Sequence, residues 1–497
     1  MRNALISGGF DPSVFDVEAA PVLEQVSYDV TEADVIVVGA GGAGLSAAFT
    51  ALEDGASVIV IEKSGVIGGN SVCAQMGINA ADAAVQQELG MDYARSDLLK
   101  ELQMRYGGRE ELVDTYVTAS GATLDWLHDT LDINFTPSNQ EGEIDPSDPL
   151  AGVQEGHPSG SGIFMTNAND DGYTTLTLVN ALNAALENAG ATLYKNTEAT
   201  ALITDNTGRV VGVKATAADG SEVEFTGKAV VLATGGFGQN HDLLVEIRPD
   251  LENAITDEIA PTTGDGLHMA QELGAKAVDL EYLQTFPHVV YGDTWLPPMA
   301  MPGGFMTTAI FVNQDAQRYT TEGFETADAT LQQEAVYAIF SEDDMNDNLA
   351  TLEGRGFVKS GDTVAELAEA LGLDADALQA TIDQWNADCA AGSDSQFDRH
   401  NLKALEGKLY GYRFGVGAHY FMGGILINAQ TQVLDENEQP IPGLYAAGEV
   451  TGGFHGTTRV DGSGTGDAFK VSTLCRHLES ADSFLSADSQ FANIFAA

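Results

Sequence analysis

The chain has 497 residues, 44% of them hydrophobic and 8% aromatic, so it is long enough to form two domains with a substantial core. The 74 acidic residues outnumber the 22 basic residues and give a formal charge of −52, which disfavours nucleic acids and anionic membranes as partners. No stretch approaches about 18 continuous apolar residues and no basic segment leads into an apolar run at the start, so a cytoplasmic location is expected.

The first predicted elements are a strand, a helix and a second strand. Residues 34–38 form a short apolar run stopped by glycines, LSAAFTALEDG follows with helical spacing, and SVIVIEK is a second apolar run. Helical spacing returns within residues 90–130, and residues 135–175, rich in Ser, Pro, Gly, Asn and Asp, are predicted to form a long surface loop. From residue 175 a helix is predicted, then antiparallel strands that flank a return to the parallel sheet.

The pattern changes between residues 282 and 420. This region holds the Pro-rich segment TWLPPMAMPGG, scattered strands and predicted helices near 329–340 and 363–387. From residue 421 the glycine-rich, apolar pattern returns and ends in a helix after Gly464. The sequence therefore predicts a lead-in (1–32), a discontinuous domain (33–281 and 421–497) and an inserted second domain (282–420).

The cysteines carry no recognisable metal or haem motif. Cys73, Cys389 and Cys475 are far apart and form neither CxxC nor CxxCH, so the sequence encodes no iron–sulfur cluster and no c-type haem. We expect no metal site and interpret these residues as small apolar side chains.

A glycine-rich turn and an acidic residue indicate a dinucleotide. GAGGAG, residues 39–44, stands where the first strand ends and the first helix begins, so that backbone amides can approach a pyrophosphate. Glu62 ends the next strand, about 20 residues further on, where a carboxylate can bind the ribose hydroxyls of an adenosine and exclude a 2′-phosphate. Further glycine turns follow in GVIGGNS (65–71), ATGGF (233–237), TGDG (263–266) and AAGE (446–449).

These motifs resemble those of the soluble fumarate reductase and succinate dehydrogenase flavoprotein family. IEKSGVIGGNS, ATGGFG, TGDG, MGGILIN and GLYAAGEVTGGFHGTTR carry the resemblance, which runs from about residue 33 to 475. It implies an α/β fold with a Rossmann-like FAD-binding domain and an inserted α+β capping domain that holds the substrate. The FAD contacts that we predict are Gly39, Gly41, Gly42, Ala43, Gly44, Glu62, Lys63, Gly68, Gly69, Asn70, Ser71, Met76, Gly77, Ala199, Ala233, Thr234, Gly235, Asp265, Gly448, Glu449, Gly464 and Thr465.

The chain departs from the family at the flavin and at the proton donor. Family members with covalent flavin carry a His just after the GGN-like turn, but here Asn70, Ser71 and Val72 follow it, so FAD is expected to be non-covalent. The family's HPT triplet reads Phe286-Pro287-His288 here. The position of the proton-donating arginine falls on Thr326, and the sequence has no Arg between Arg318 and Arg355.

The substrate clamp of the family is also changed. Its second histidine is replaced by Tyr420, beside a retained His419, and only Arg459 in HGTTR is kept. Because a dicarboxylate needs several cations or strong donors to offset its desolvation, fumarate is not expected as substrate. The side chains that suggest an apolar or aromatic substrate instead are Phe286, Met299, Met301, Phe305 and Tyr420.

A proton donor is still required, because hydride addition to a polarised double bond leaves an enolate-like charge. Tyr420 is the first candidate, and His419, His288 and Asp461 are the alternatives, with Arg459 as the retained cation. Asp461 stands where the family usually has Gly, just ahead of the helix at Gly464, whose N-terminus would stabilise negative charge on reduced flavin.

The function that this pattern favours is an FAD-dependent reductase of a small, mostly uncharged substrate such as an enone, a cinnamate-like acid, a steroid or a flavonoid. Tetrahydrodaidzein reductases are similar to this family. The alternatives are a desaturase similar to 3-ketosteroid dehydrogenases, a fumarate- or urocanate-type reductase of an unsaturated acid, and a non-catalytic flavin-binding redox protein. NAD(P)H, a reduced flavin or a partner flavoprotein could each serve as electron donor, since no second GxGxxG with a following acid is evident.

Overall fold

The computed structural model describes residues 27–74, 77–91, 94–139, 142–143, 164–167, 174–256, 258–290, 308–322, 326–460 and 462–476. The strands are β1 (Val35–Val38), β2 (Val58–Ile61), β3 (Phe135–Asn139), β4 (Gly142–Glu143), β5 (Phe164–Asn167), β6 (Thr192–Tyr194), β7 (Thr197–Thr204), β8 (Val210–Ala217), β9 (Glu222–Thr226), β10 (Ala229–Leu232), β11 (Ile255–Thr256), β12 (Ala277–Val278), β13 (Leu283–Val290), β14 (Ile310–Asn313), β15 (Val336–Ser341), β16 (Lys359–Gly361), β17 (Leu409–Phe421), β18 (Gly424–Leu426), β19 (Gln432–Leu434), β20 (Pro440–Ala446) and β21 (Thr451–Gly452). The helices are α1 (Gly42–Glu53), α2 (Ala84–Glu88), α3 (Ser96–Met104), α4 (Glu110–Leu131), α5 (Thr174–Ala189), α6 (His241–Ile247), α7 (Asp265–Glu272), α8 (Ala327–Leu331), α9 (Asp347–Gly354), α10 (Val364–Leu371), α11 (Ala375–Ala391) and α12 (Ser463–Arg476). None of the helices in these described ranges combines the length and apolar character needed to cross a bilayer.

The chain forms two compact units. The larger unit comprises Arg2–Phe237, Pro261–Leu283 and Phe421–Ala497, and the smaller unit comprises Gly238–Ala260 and Gln284–Tyr420. The predicted domain boundaries differ from this division at residues 238–260, which the sequence assigned to the first domain. The difference has a local cause, because β11 pairs in parallel with β17 and so joins that segment to the smaller unit.

The larger unit is built on a six-stranded sheet with the order β19-β20-β10-β1-β2-β6. All pairs are parallel except β19 with β20. Strands β1, β2 and β10 read VIVV, VIVI and AVVL and are buried along their whole length, as expected for a parallel sheet covered on both faces. The predicted strand–helix–strand unit and the Rossmann-like α/β fold are confirmed, and the loops after β1, β2, β10 and β20 lie at one edge of the sheet.

Smaller sheets complete the larger unit. The predicted antiparallel strands are confirmed as β7-β8-β9, and β12-β18-β21 and β4-β3-β5 form two further three-stranded sheets. The predicted loop over residues 135–175 is wrong where the structure describes it, because β3 pairs with β4 and β5 in antiparallel fashion. These strands contain residues typical of turns and show no strand periodicity. They form because their backbone groups are hydrogen-bonded to the neighbouring strands.

The smaller unit has a sheet with the order β11-β17-β15-β14, and β13 and β16 also pair with β17. The predicted helix near 329–340 is wrong, because α8 ends at Leu331 and Val336–Ser341 forms strand β15. Phe340 packs on one side of this sheet and Ile339 on the other, so the segment is apolar on both faces and gives no period-2 signal. Such a run cannot be told from a buried helix by periodicity alone.

The predicted helix over 363–387 is two helices. Thr363 begins α10 with a capping box, in which its hydroxyl accepts from the Glu366 N–H at 3.2 Å and the Glu366 carboxylate accepts from the Thr363 N–H at 3.1 Å. Gly372, with φ of 72°, ends α10, and Asp374 caps α11 by accepting from the Ala377 N–H at 2.8 Å. A left-handed glycine followed by a new cap therefore breaks the predicted helix.

A buried ion network holds the smaller unit together. Arg318 donates to Glu322 at 2.8 and 2.9 Å and to Asp394 at 3.0 Å, and all three side chains are 0% exposed. Arg399 joins Glu322 at 2.9 Å, and the indole of Trp385 lies 4.6 Å from the Arg318 guanidinium carbon. Burial alone would lower the pKa of Arg318, but its bonds to both carboxylates outweigh burial and raise it.

We expect Arg318→Ala to destabilise the smaller unit by about 3–5 kcal/mol, because it leaves Asp394 buried without the Arg318 cation and removes one of the cations that pair with Glu322. The apparent melting temperature should fall by roughly 10 °C or more. Differential scanning fluorimetry measures it, with the exposed Arg355→Ala as control. Burial favours a raised pKa at Asp394, but the Arg318 bond dominates and holds that pKa below its usual range. The contribution of Asp394 to stability is therefore present above the unfolded carboxyl pKa of about 3.9 and lost as the pH falls below it. Equal melting temperatures for Arg318→Ala and Arg355→Ala would contradict the stabilising role of Arg318.

Candidate functional site

The glycine-rich turn after β1 is held by contacts that only glycine permits. Gly39 has φ of 102°, and a Cβ there would lie 2.3 Å from the Ala233 carbonyl oxygen, at the end of β10. A Cβ at Gly44 would lie 1.8 Å from the Gly39 carbonyl oxygen. A Cβ at Gly41 would have Gly68 O, at 3.8 Å, as its nearest neighbour. The turn is thus tight at Gly39 and Gly44 and open at Gly41, the residue just before α1, which suits the close approach of a pyrophosphate.

Glu62 is fixed beside this turn by backbone amides. Its carboxylate accepts from the Ala40 N–H at 2.9 Å and from the Ser64 N–H at 2.8 Å, and the residue is 8% exposed. Thr197, two residues before Ala199, donates its N–H to the Glu62 carbonyl at 3.0 Å. The predicted ribose-binding acid therefore lies at the carboxyl end of β2, next to the glycine turn and to β7.

A second glycine turn lies against the first. The Gly68 N–H donates to the Ala40 carbonyl at 2.7 Å, and Gly68 and Gly69 have φ of 108° and 55°. Ser71 accepts from the N–H of Gly42, the first residue of α1, at 3.1 Å. The Ser71 hydroxyl oxygen therefore accepts a hydrogen bond at the N-terminus of α1, where an anion is also favoured.

The TGDG segment is hydrogen-bonded to the residue after Glu62 and to the second glycine turn. Lys63 donates to Asp265 and to Thr263, each at 2.6 Å, and Asn70 donates to Thr262 at 3.4 Å. The Thr234 hydroxyl is buried and has no hydrogen-bond partner within the described ranges. Since buried hydroxyls are rarely left unpaired, this group is suited to a ligand. Sequence reasoning missed Thr262, although it stands one residue before the quoted motif.

The last segments of the site come from the C-terminal part of the chain. Gly448 has φ of 73°, and a Cβ there would lie 2.8 Å from the Ala43 Cβ, so β20 leads closely onto α1. Glu449 accepts from the Phe421 N–H at 3.0 Å, and its predicted bond to a ribityl hydroxyl stays a prediction.

Two of the remaining predicted contacts lie at the start of α12. Gly464 and Thr465 are in its first turn. Gly77 is two residues before Asn79, whose N–H donates to the Gly462 carbonyl at 3.1 Å, and Gly235 has φ of 72° after β10. Met76 lies outside the described residues.

The predicted catalytic residues are spread over both units. His419 and Tyr420 are half-buried near the end of β17, where the Thr256 hydroxyl donates to the Ala418 carbonyl at 2.9 Å. Arg459 is half-buried in the larger unit. His288 lies in β13, but its side chain falls outside the described residues, as do the side chain of Phe286 and the whole of Met299, Met301, Phe305 and Asp461.

Sequence reasoning missed a buried carboxylate near His419 and Tyr420. Glu258 is 2% exposed, its carboxylate accepts from the Gly238 N–H at 3.2 Å, and its own N–H donates to Thr256 at 3.1 Å. Thr256 is paired with Ala418 in the parallel register of β11 and β17, so Glu258 follows the strand that ends beside the candidates. A single acidic residue in a short turn gives no periodic or motif signal that could have found it.

Comparisons with known proteins agree with this geometry. The family model described as "FAD binding domain" matches residues 34–465. Urocanate reductase of Eggerthella lenta is 32% identical over 94% of this chain and 78% of its own length. NADH:fumarate oxidoreductase of Klebsiella pneumoniae is 33% identical over 89% of this chain, which spans only 47% of that relative. Vinyl phenol reductase of Lactiplantibacillus plantarum is 27% identical over 86% of this chain and 91% of its own length.

The fold also matches a solved structure. The open conformation of a flavocytochrome c3 fumarate reductase superposes with a TM-score of 0.79 and 26% identity, over 94% of this chain and 80% of that one. The glycine turns, the acid after β2 and the buried Thr234 hydroxyl suit the FAD that the matching family model names, and the prediction of FAD is confirmed. The chain belongs to the FAD-binding, fumarate reductase-like family of flavoprotein oxidoreductases.

Proposed function

We propose that the protein is an FAD-dependent reductase of a small, mostly uncharged substrate with a polarised carbon–carbon double bond. The observation that carries this proposal is the burial of Arg318 in an ion network. Arg318 lies in the segment Asn313–Tyr319, which resembles the family segment that precedes the catalytic arginine, and its side chain is held between Glu322 and Asp394 with no exposed surface. No other Arg follows before Arg355, and the buried Thr326 occupies the expected position. The chain thus lacks an arginine acid there, together with one cation of a dicarboxylate clamp.

Tyr420 is the residue to which we assign proton donation, with His419 as the alternative. FAD, bound non-covalently beside Asn70, would supply the hydride to one carbon of the double bond. The other carbon then gains negative charge, and the phenol hydroxyl donates its proton to that carbon. Solvent returns a proton to the phenolate, which completes the reduction.

The relatives support two substrate classes. By its name, vinyl phenol reductase acts on an uncharged aromatic alkene, which fits the loss of cations here. The fumarate and urocanate reductases act on unsaturated acids, and Arg459, retained in HGTTR, could bind one carboxylate. A reductase of an unsaturated monocarboxylic acid is therefore the second candidate. An isoflavonoid substrate, a desaturase direction and the choice of electron donor stay predictions.

The test is anaerobic stopped-flow reoxidation of the dithionite-reduced protein, followed at 450 nm. The panel contains a vinyl phenol, an isoflavonoid, an enone steroid, a cinnamate, urocanate and fumarate. We expect fast reoxidation by uncharged members and reoxidation by fumarate that is slower by at least about tenfold, the loss expected when one charged contact of about 1.4 kcal/mol or more is missing. Acid precipitation of the same sample should release FAD into the supernatant, as non-covalent binding requires.

Arg459→Gln serves as the matched variant for the charge question. It should leave reoxidation by a vinyl phenol unchanged and slow reoxidation by cinnamate. Fast reoxidation by fumarate in the unmodified protein would overturn the proposed substrate class, and failure of every panel member would overturn the reductase proposal itself.

A further inference from the structure

A group of polar side chains is fully buried around the start of α12 in the larger unit. We call Asn79, Gln103, Tyr116, Ser463 and Asp467 the α12 polar cluster. The first four are 0% exposed and Asp467 is 3% exposed. Because buried polar groups cost free energy unless they are hydrogen-bonded, their concentration in one place indicates a specific role.

The cluster ties two helices and a loop to the residue at which α12 begins. Gln103, in α3, donates to the Ser463 hydroxyl at 2.5 Å. Tyr116, in α4, donates to the Asn79 carbonyl, and the Asn79 N–H donates to the Gly462 carbonyl at 3.1 Å. The position of the first turn of α12 is therefore set by α3, α4 and the loop at Asn79, in addition to its packing on α1.

The hydroxyl of Tyr116 lies directly against the backbone of α12. A Cβ at Gly466 would come within 2.4 Å of it, so the helix carries glycine at the point of contact. Burial raises the pKa of the Tyr116 hydroxyl well above its usual value, so it stays protonated and remains a donor. The Gln103 amide oxygen is buried without a hydrogen-bond partner in the part of the chain that the structure describes. The bonds from Gln103 and Tyr116 therefore fix the start of α12 at defined points.

α12 packs on the start of α1, where the predicted pyrophosphate site lies. A Cβ at Gly42, where α1 begins, would lie 3.1 Å from the ring of Phe469 in α12. Gly464 and Thr465, two of the predicted FAD contacts, lie in that first turn. The amides of a helix N-terminus carry partial positive charge and favour anions, and the reduced form of FAD is more negative than the oxidised form.

We propose that the α12 polar cluster fixes these amides where they favour reduced FAD over oxidised FAD, and so raises the reduction potential of the bound cofactor. Tyr116 and Gln103 are positioning residues in this view, since they act through the backbone of α12. The inference depends on FAD and is independent of the proposed substrate class. It is tested by a potential, which needs no substrate.

The experiment compares the midpoint potential of bound FAD in the unmodified protein with that in Tyr116→Phe and Gln103→Met, by anaerobic reductive titration against reference dyes. In both variants the ratio of the affinity for reduced FAD to that for oxidised FAD should fall about tenfold. This lowers the midpoint potential by about 30 mV for a two-electron couple. Tyr28→Phe, which removes a hydroxyl bonded to Thr197 at 3.0 Å elsewhere in the same unit, should leave the potential unchanged.

Two results would overturn the inference. One is an unchanged potential in both variants while FAD remains bound. The other is equal weakening of oxidised and reduced FAD, which would show that the cluster only stabilises the fold. If Tyr116→Phe does not fold with FAD, Gln103→Met decides alone, because it changes a different helix and keeps the shape of the side chain.

Discussion

Gly44→Ala is expected to yield protein that retains little or no FAD. The added Cβ would lie 1.8 Å from the Gly39 carbonyl oxygen, a backbone atom, and no rotamer change moves either atom. The turn must therefore open, which moves the N-terminus of α1 away from the pyrophosphate. Overpacking of this kind costs about 1–3 kcal/mol or more, so the affinity for FAD should fall by roughly tenfold to several hundredfold.

The measurement is the ratio of absorbance at 450 nm to that at 280 nm in the purified protein, followed by titration of the apoprotein with FAD. Gly354→Ala is the matched control, since a Cβ there meets no atom within 4 Å. The control should bind FAD like the unmodified protein. Equal FAD content in both variants would show that the glycine turn does not form the cofactor site.

Tyr420→Phe is expected to slow reoxidation by the preferred substrate by about 10²–10⁴-fold, the usual contribution of a general acid. The substitution keeps the ring and removes only the hydroxyl. FAD content, reduction by dithionite and reoxidation by oxygen should therefore be unchanged. Stopped-flow reoxidation at saturating substrate measures the effect on the chemical step.

Tyr337→Phe is the control for this variant. Tyr337 is half-buried in β15 of the same unit, where it pairs with Arg413. It should reoxidise at the rate of the unmodified protein. If Tyr420→Phe also keeps that rate, Tyr420 is not the proton donor, and His419→Asn becomes the next variant to compare.

The nucleotide-binding half of the fold was predictable because its signals are local. A four-residue apolar strand, a glycine turn and an acid at the end of the next strand specify β1, α1, β2 and Glu62 within a short stretch of chain. Each of these residue types is required by the backbone: Gly39, for example, meets Ala233 O at 2.3 Å if a Cβ is added. A local constraint of this kind can be recognised from the sequence.

The features that could not be predicted depend on contacts between distant segments. Val336–Ser341 is held as a strand between β14 and β17, and the periodicity of its own residues does not separate a strand from a buried helix. Gln103 and Tyr116 lie in helices whose spacing was recognised, but nothing in that spacing shows that α12 would begin beside them. Glu258 is likewise an ordinary turn residue until β11 pairs with β17.

The order of strands in the larger unit has a consequence for synthesis of the protein. β20 is the neighbour of β10, and α12 packs beside the first glycine turn, so the FAD site draws on residues near both ends of the described chain. At about 5–20 residues per second, a ribosome needs on the order of ten seconds or more to make the residues that separate β10 from β20. During that time the apolar edge of β10 is made but unpaired. The nascent chain therefore cannot complete its FAD site until β20 has been made and has paired with this edge.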